Sequence, residues 1–106
     1  MMTRFLFMAA LLLPMFASAA DLPETKVDIK AFAFGPMNVK VPAGTRVTWS
    51  NKDQEPHTVV STEQAFQSDA LDTGDSFSFT FTKPGVYPYF CSMHPHMTGI
   101  VEVTGK

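Results

Sequence analysis

The sequence predicts an all-β domain, an antiparallel sandwich or barrel of about seven to eight short strands. Three observations carry that prediction. Apolar residues recur at every second position in several segments, most clearly where Phe77, Phe79 and Phe81 alternate with Ser76, Ser78 and Thr80. Turn signals such as Pro42-Ala43-Gly44-Thr45 and Lys83-Pro84-Gly85 separate those segments at short intervals. After the first twenty residues no segment carries a long helical period.

Residues 1–20 read as a cleaved signal peptide. Arg4 supplies a short positive region, Phe5 to Leu13 is an unbroken apolar run, and Ala17-Ser18-Ala19 is a small-residue cleavage site. The apolar run is short for a membrane span. The alternative, a tail helix anchoring the domain, would need a longer one. Cleavage after Ala19 or Ala20 leaves residues 21–106 as one domain. No cysteine follows the apolar run and no twin arginine precedes it, so the expected route is general secretory export to the periplasm.

With the leader goes Arg4, which takes the formal charge of the chain from −2 to −3. A mildly acidic domain argues against nucleic acid as a partner, because phosphate binding requires clustered basic residues. The lone cysteine, Cys91, cannot form an internal disulfide in an exported chain. It is therefore reactive, paired between molecules, or held by a metal.

The strands follow in order. Lys26 to Phe34 places Val27, Ile29, Ala31 and Ala33 on one face, and after Gly35-Pro36 the alternation resumes through Met37, Val39 and Val41. Arg46 to Asn51 sets Val47 and Trp49 against Arg46, Thr48 and Ser50. Thr58 to Val60 is a short β-branched run. Ser61 to Asp75 loses periodicity and reads as a long loop with one helical turn near Thr62 to Phe66. Ser76 to Phe81, Val86 to Cys91 and Gly99 to Val103 complete the set, the second of these placing Tyr87, Tyr89 and Cys91 on one face.

The chemistry is concentrated in Cys91-Ser92-Met93-His94-Pro95-His96-Met97. A thiolate, an imidazole and a thioether at Cys-x2-His-x2-Met spacing suit a soft metal. Copper in a trigonal site of two histidines and one cysteine, with a weak axial methionine, uses all three ligand types. That set needs a second histidine, and His57 is the one histidine outside the run. For Cys91 and Met97 the competing reading is burial as core apolar residues. His96 could compete with His94, but a residue between two ligands on a turn more often faces solvent, and Met93 reads as a surface apolar residue. Thr58 offers a hydroxyl and an N–H to support the thiolate or the ligand loop. Zinc is chemically admissible in the same donors.

These residues resemble the cupredoxins, the small blue copper proteins. The resemblance runs through Val39-Lys40-Val41-Pro42-Ala43-Gly44-Thr45-Arg46-Val47-Thr48-Trp49, Pro56-His57-Thr58-Val59 and Tyr87-Pro88-Tyr89-Phe90-Cys91. The short Cys-x2-His-x2-Met loop is of the amicyanin type, while plastocyanin and pseudoazurin have a longer His-to-Met segment. The resemblance implies a Greek-key β-sandwich and one mononuclear type 1 copper per chain. It implies His57, Cys91 and His94 as equatorial ligands and Met97 as the axial one. It further implies one-electron transfer between Cu(II) and Cu(I), by a carrier and not an enzyme. The partners would be redox proteins, such as a c-type cytochrome or a periplasmic oxidoreductase, with the carrier a monomer that has no membrane span after cleavage. Two departures stand out: Thr58 replaces the asparagine that commonly follows the first histidine, and His96 replaces the phenylalanine of amicyanin. The alternative function is copper sequestration or delivery in copper tolerance, for which Met93 and His96 would supply extra donors.

Overall fold

The computed structural model of the chain describes residues 22–105. The expected leader and its cleavage site lie outside the described residues. Eight strands follow in order: β1 (Glu24–Ile29), β2 (Phe34–Gly35), β3 (Asn38–Pro42), β4 (Thr45–Asn51), β5 (Val60–Ser61), β6 (Ser76–Phe81), β7 (Gly85–Cys91) and β8 (His94–Thr104). They form two four-stranded sheets, ordered β2-β1-β4-β6 and β3-β8-β7-β5. No helix among the described residues is long and apolar enough to cross a membrane.

The all-β sandwich is as expected, with two refinements. The sheets stay separate, so there is no closed barrel. They are also mixed, because β1 pairs with β4 in parallel, and so does β3 with β8. Alternation tells which face a side chain takes, not which neighbour its strand will have, and parallel pairing requires the chain to cross between layers. The connection between β3 and β4 makes such a crossing in two residues. There the Ala43 N–H donates to the Thr104 carbonyl at 2.8 Å and the Gly44 N–H to the Phe81 carbonyl at 2.7 Å, one in each sheet. Gly44, at φ 99°, supplies the left-handed conformation this turn requires.

Inward-facing side chains from both sheets close over Trp49, which is fully buried. Tyr89 meets it edge-on at 5.3 Å from one sheet, and Phe77 and Phe81 lie 5.8 and 6.4 Å away on the other. Phe66, from the long loop, packs at 5.7 Å. An aromatic side chain of this size buries about 150–250 Å², worth roughly 4–6 kcal/mol at about 25 cal/mol per Å². This aromatic layer is the stiff floor beneath the end of β7, where Cys91 sits.

Three local expectations are corrected. The strand expected through Lys26 to Phe34 breaks after Ile29. Lys30 and Ala33 exchange backbone hydrogen bonds at 3.0 and 3.1 Å, and Ala31 and Phe32 between them take φ of 55° and 56°. Ala31 and Ala33 are consequently exposed instead of inward-facing. Met37, expected on the inner face, is also exposed. No helical turn forms at Thr62 to Phe66. The Ser61 hydroxyl instead accepts from the N–H groups of Glu63 and Ala65, holding a turn that delivers Phe66 to the core.

Candidate metal centre

Cys91 closes β7 and His94 opens β8, so the two are joined by a hairpin turn of only Ser92 and Met93. A register shift at Phe90/Cys91 makes Cys91 and His94 cross-strand partners. The sequence suggested a loop running on to Met97; the turn is shorter, and His94 to Met97 already belong to the strand. Along it Met97 is buried at 2% exposure while Pro95 and His96 are exposed. His96 and Met93 are therefore surface residues, as expected.

His57 arrives from the other side of the sequence. Its backbone pairs with Leu71, the His57 N–H donating at 3.1 Å and the Leu71 N–H donating back at 2.7 Å. Asn51, fully buried at the end of β4, fixes the segment between: its Nδ2 donates to the carbonyls of Glu55 and Leu71, both at 2.8 Å, and its Oδ1 accepts from the Asp53 N–H at 2.9 Å.

The donor atoms of His57, Cys91 and His94 all lie within 4.8 Å of one another. Cys91 Sγ is 3.8 Å from Nδ1 of each imidazole, and the imidazole centroids are 4.9 Å apart. The tautomer of His57 is set by Asp53, whose Oδ2 lies 2.9 Å from His57 Nε2. An ionised carboxylate can only accept, so Nε2 carries the proton and the Nδ1 lone pair faces the sulfur. Burial raises the Cys91 thiol, but hydrogen bonds to the sulfur, that from the Thr58 N–H foremost, outweigh it and bring the thiol down to about 6. The thiolate is the metal-binding form. Two imidazoles and a low-lying thiol, with a buried thioether three residues past the second imidazole, form a soft nitrogen-and-sulfur donor set that fits copper.

Four contributors went unseen in the sequence. Asp53 looks like an ordinary loop residue there, Asn51 like the end of a strand, and Ser92 like a spacer. Phe32 looks like part of the strand expected through Lys26 to Phe34. In the fold its ring stands edge-on to His57 at 5.2 Å and to His94 at 4.9 Å. Its left-handed φ and that of Ala31 cost about 1–2 kcal/mol each. Asp53 offsets this by accepting from both their N–H groups, at 2.6 Å for Ala31 and 2.9 Å for Phe32, hydrogen bonds of a type worth about 1.5–3 kcal/mol.

With two sheets and this donor set in place, the comparison with known proteins is direct. The family model described as a cupredoxin-like domain matches residues 3–103. The chain belongs to the cupredoxin family. Among its curated relatives, amicyanin-alpha of Methylorubrum extorquens is 34% identical over 89 residues, covering 79% of this chain and 75% of that one. Among solved structures, a purple cupredoxin from Nitrosopumilus maritimus superposes with a TM-score of 0.70 at 38% identity, covering 74% of this chain and 98% of that one. The copper-containing nitrite reductase of Thermus scotoductus SA-01 superposes with a TM-score of 0.72 at 33% identity, over 78% of this chain but 22% of that one. This cupredoxin thus shares its domain both with small single-domain proteins and with a part of a larger enzyme.

Proposed function

We infer that this cupredoxin is a periplasmic one-electron carrier that binds a single copper through His57, Cys91, His94 and Met97. The observation that carries the reading is the convergence of one thiol and two imidazole nitrogens within 4.8 Å on a rigid, buried frame. When bound, copper would supply the Cu(II)/Cu(I) couple. The chain's own contribution is to keep the donors still. Cys91 ends a strand anchored in the aromatic core, His57 is held at both its backbone and its Nε2, and His94 is the cross-strand partner of Cys91, on a strand whose pairing with β7 resumes at Thr98. A frame that needs no rearrangement between oxidation states keeps the barrier to electron exchange low.

The carrier reading is favoured over an enzyme by the single donor cluster found among the described residues and by the small-protein relatives. Electrons would enter and leave near His94, which is partly exposed and flanked by the exposed Met93. Redox proteins are the proposed partners of a monomeric carrier. Voltammetry tests this: the copper-loaded domain is expected to give one reversible one-electron wave that Cys91→Ser abolishes. An irreversible response, or a wave that survives the substitution, would sink the reading.

Copper handling is the second reading, favoured by exposed donors beside the site: the His96 ring lies 6.4 Å from that of His94. Titration separates the two. A carrier binds one copper per chain tightly, whereas a handling protein binds more, and His96→Ala would then lower the stoichiometry.

A further inference from the structure

Asp53 touches a candidate ligand and the turn that covers it at the same time. Its Oδ2 is shared between His57 Nε2 and the N–H of Phe32, each at 2.9 Å, while Oδ1 accepts from the N–H of Ala31 at 2.6 Å. Nothing in the local sequence of the turn explains its conformation. Two consecutive residues with left-handed φ, neither glycine nor asparagine, persist only where the surroundings impose them, and such sites point to function. What this turn delivers is the Phe32 ring, nearly perpendicular to both imidazoles at 88° and 90°. Phe32 is 38% exposed while His57 behind it is fully buried, so the ring stands between His57 and solvent.

The geometry points to Asp53 as a positioning residue that holds His57 and the Phe32 ring as one unit, with the ring packed against both imidazoles and shielding His57 from water and from competing metal ligands. The inference rests on the reading of His57 and His94 as ligands of one metal. Two consequences follow from the contacts. A chelator that displaces the His57 imidazole has to move the Phe32 turn first, so the turn slows metal loss. The Asp53 charge, relayed through the His57 ring, favours the more highly charged oxidation state, so removing it raises the reduction potential.

Four proteins test this: Asp53→Asn, Phe32→Ala, Phe32→Leu and the double variant D53N/F32A. In the metal-free domain, NMR hydrogen exchange is read at the Ala31 and Phe32 amides and at His57 Nε2–H. All three protons are expected to be protected in the parent and to lose protection together in D53N. In the copper-loaded domain, release to excess EDTA is expected to be about tenfold faster in D53N and in F32A. The double variant is expected to be no more than about twofold faster than either, since the two residues act through one element. F32L, which keeps an apolar cover and guards against misfolding of F32A, should fall between parent and F32A. The midpoint potential of D53N should rise, because the lost carboxylate charge stabilises Cu(II) more than Cu(I). The inference is overturned if exchange in D53N matches the parent, if both Phe32 variants release copper at the parent rate, or if the single effects multiply in the double variant. A parent domain that binds no copper would defeat the metal reading, while the exchange measurement would still decide whether Asp53 holds the unit together.

Discussion

The Thr58 N–H donates to Cys91 Sγ at 3.3 Å across 33 positions of sequence. The same residue reaches the metal-site hairpin a second time through its hydroxyl, which accepts from the Ser92 N–H at 2.8 Å and lies 2.8 Å from the Ser92 hydroxyl and 3.7 Å from Sγ. Threonine thus ties this segment to the Cys91–His94 hairpin through both the hydroxyl and the N–H that the sequence offered. If the Ser92 hydroxyl donates to Thr58 Oγ1, the Thr58 proton is left for the sulfur.

Thr58→Val keeps the backbone bond to Cys91 and removes both hydroxyl contacts. The Ser92 N–H, on an exposed turn, loses a partner that water can partly replace, and a hydrogen bond of this kind contributes about 0.5–1.5 kcal/mol. Urea denaturation of the metal-free domain is expected to show a loss in that range, with Thr58→Ser much closer to the parent.

The Cys91 thiol, lowered to about 6 from an ordinary value of 9.0, makes the metal-free fold pH-dependent. The folded state binds the proton more weakly than the unfolded state does. Its contribution to stability is thus fully present above pH 9, declines below it, and is lost as pH falls through about 6. Thiolate absorbance of the folded, metal-free domain should titrate near pH 6, and Cys91→Ser should flatten the rise in stability between pH 6 and 9. A thiolate titrating near 9 in the folded domain would contradict this.

Cys91, His57 and His94, which the structure brings together, were legible in the sequence because one cysteine and three histidines offer few ways to assemble a thiolate-and-imidazole set, whereas Met97, one of seven methionines, stood out by its spacing alone. The strands were legible where alternation was strict, as at Phe77, Phe79 and Phe81. Partners were not. Nothing in the spacing of Val27 and Trp49 announces that β1 and β4 run parallel. The Ala31-Phe32 turn was read as strand because it lacks the glycine or asparagine that usually marks a left-handed turn. Its conformation comes instead from Asp53, twenty-one positions or more away. Asp53 and Asn51 were invisible for the same reason: their roles are defined by what the fold sets beside them.

Gly99 leaves room for the core beneath the site. A Cβ there would come within 2.4 Å of the Tyr89 hydroxyl, and the ring is almost fully buried between Trp49 and Phe34. Gly99→Ala forces that ring to move, two residues from Cys91. Overpacking of this kind costs about 1–3 kcal/mol. Thermal unfolding of the metal-free domain should show the loss, and near-ultraviolet circular dichroism should show altered tyrosine and tryptophan signals.

Met97 separates packing from ligation. Met97→Ala in a buried position is expected to cost about 2–5 kcal/mol in the metal-free domain, whereas Met97→Leu, close in volume, should cost less than about 1.5 kcal/mol. If the thioether contributes to the metal, the copper-loaded M97L domain should still show a higher potential, because losing a donor disfavours Cu(II). An unchanged potential would leave Met97 a core residue alone.

The proposed electron-carrier function depends on Cys91 as the thiolate of a single copper site. Visible absorption of the domain spanning residues 21–106, after one equivalent of Cu(II), tests it most directly. An intense blue band is expected that bleaches with ascorbate, returns with oxidant and is absent from Cys91→Ser. A parent domain that binds copper but stays colourless would contradict it, because the thiolate would then not be a Cu(II) ligand.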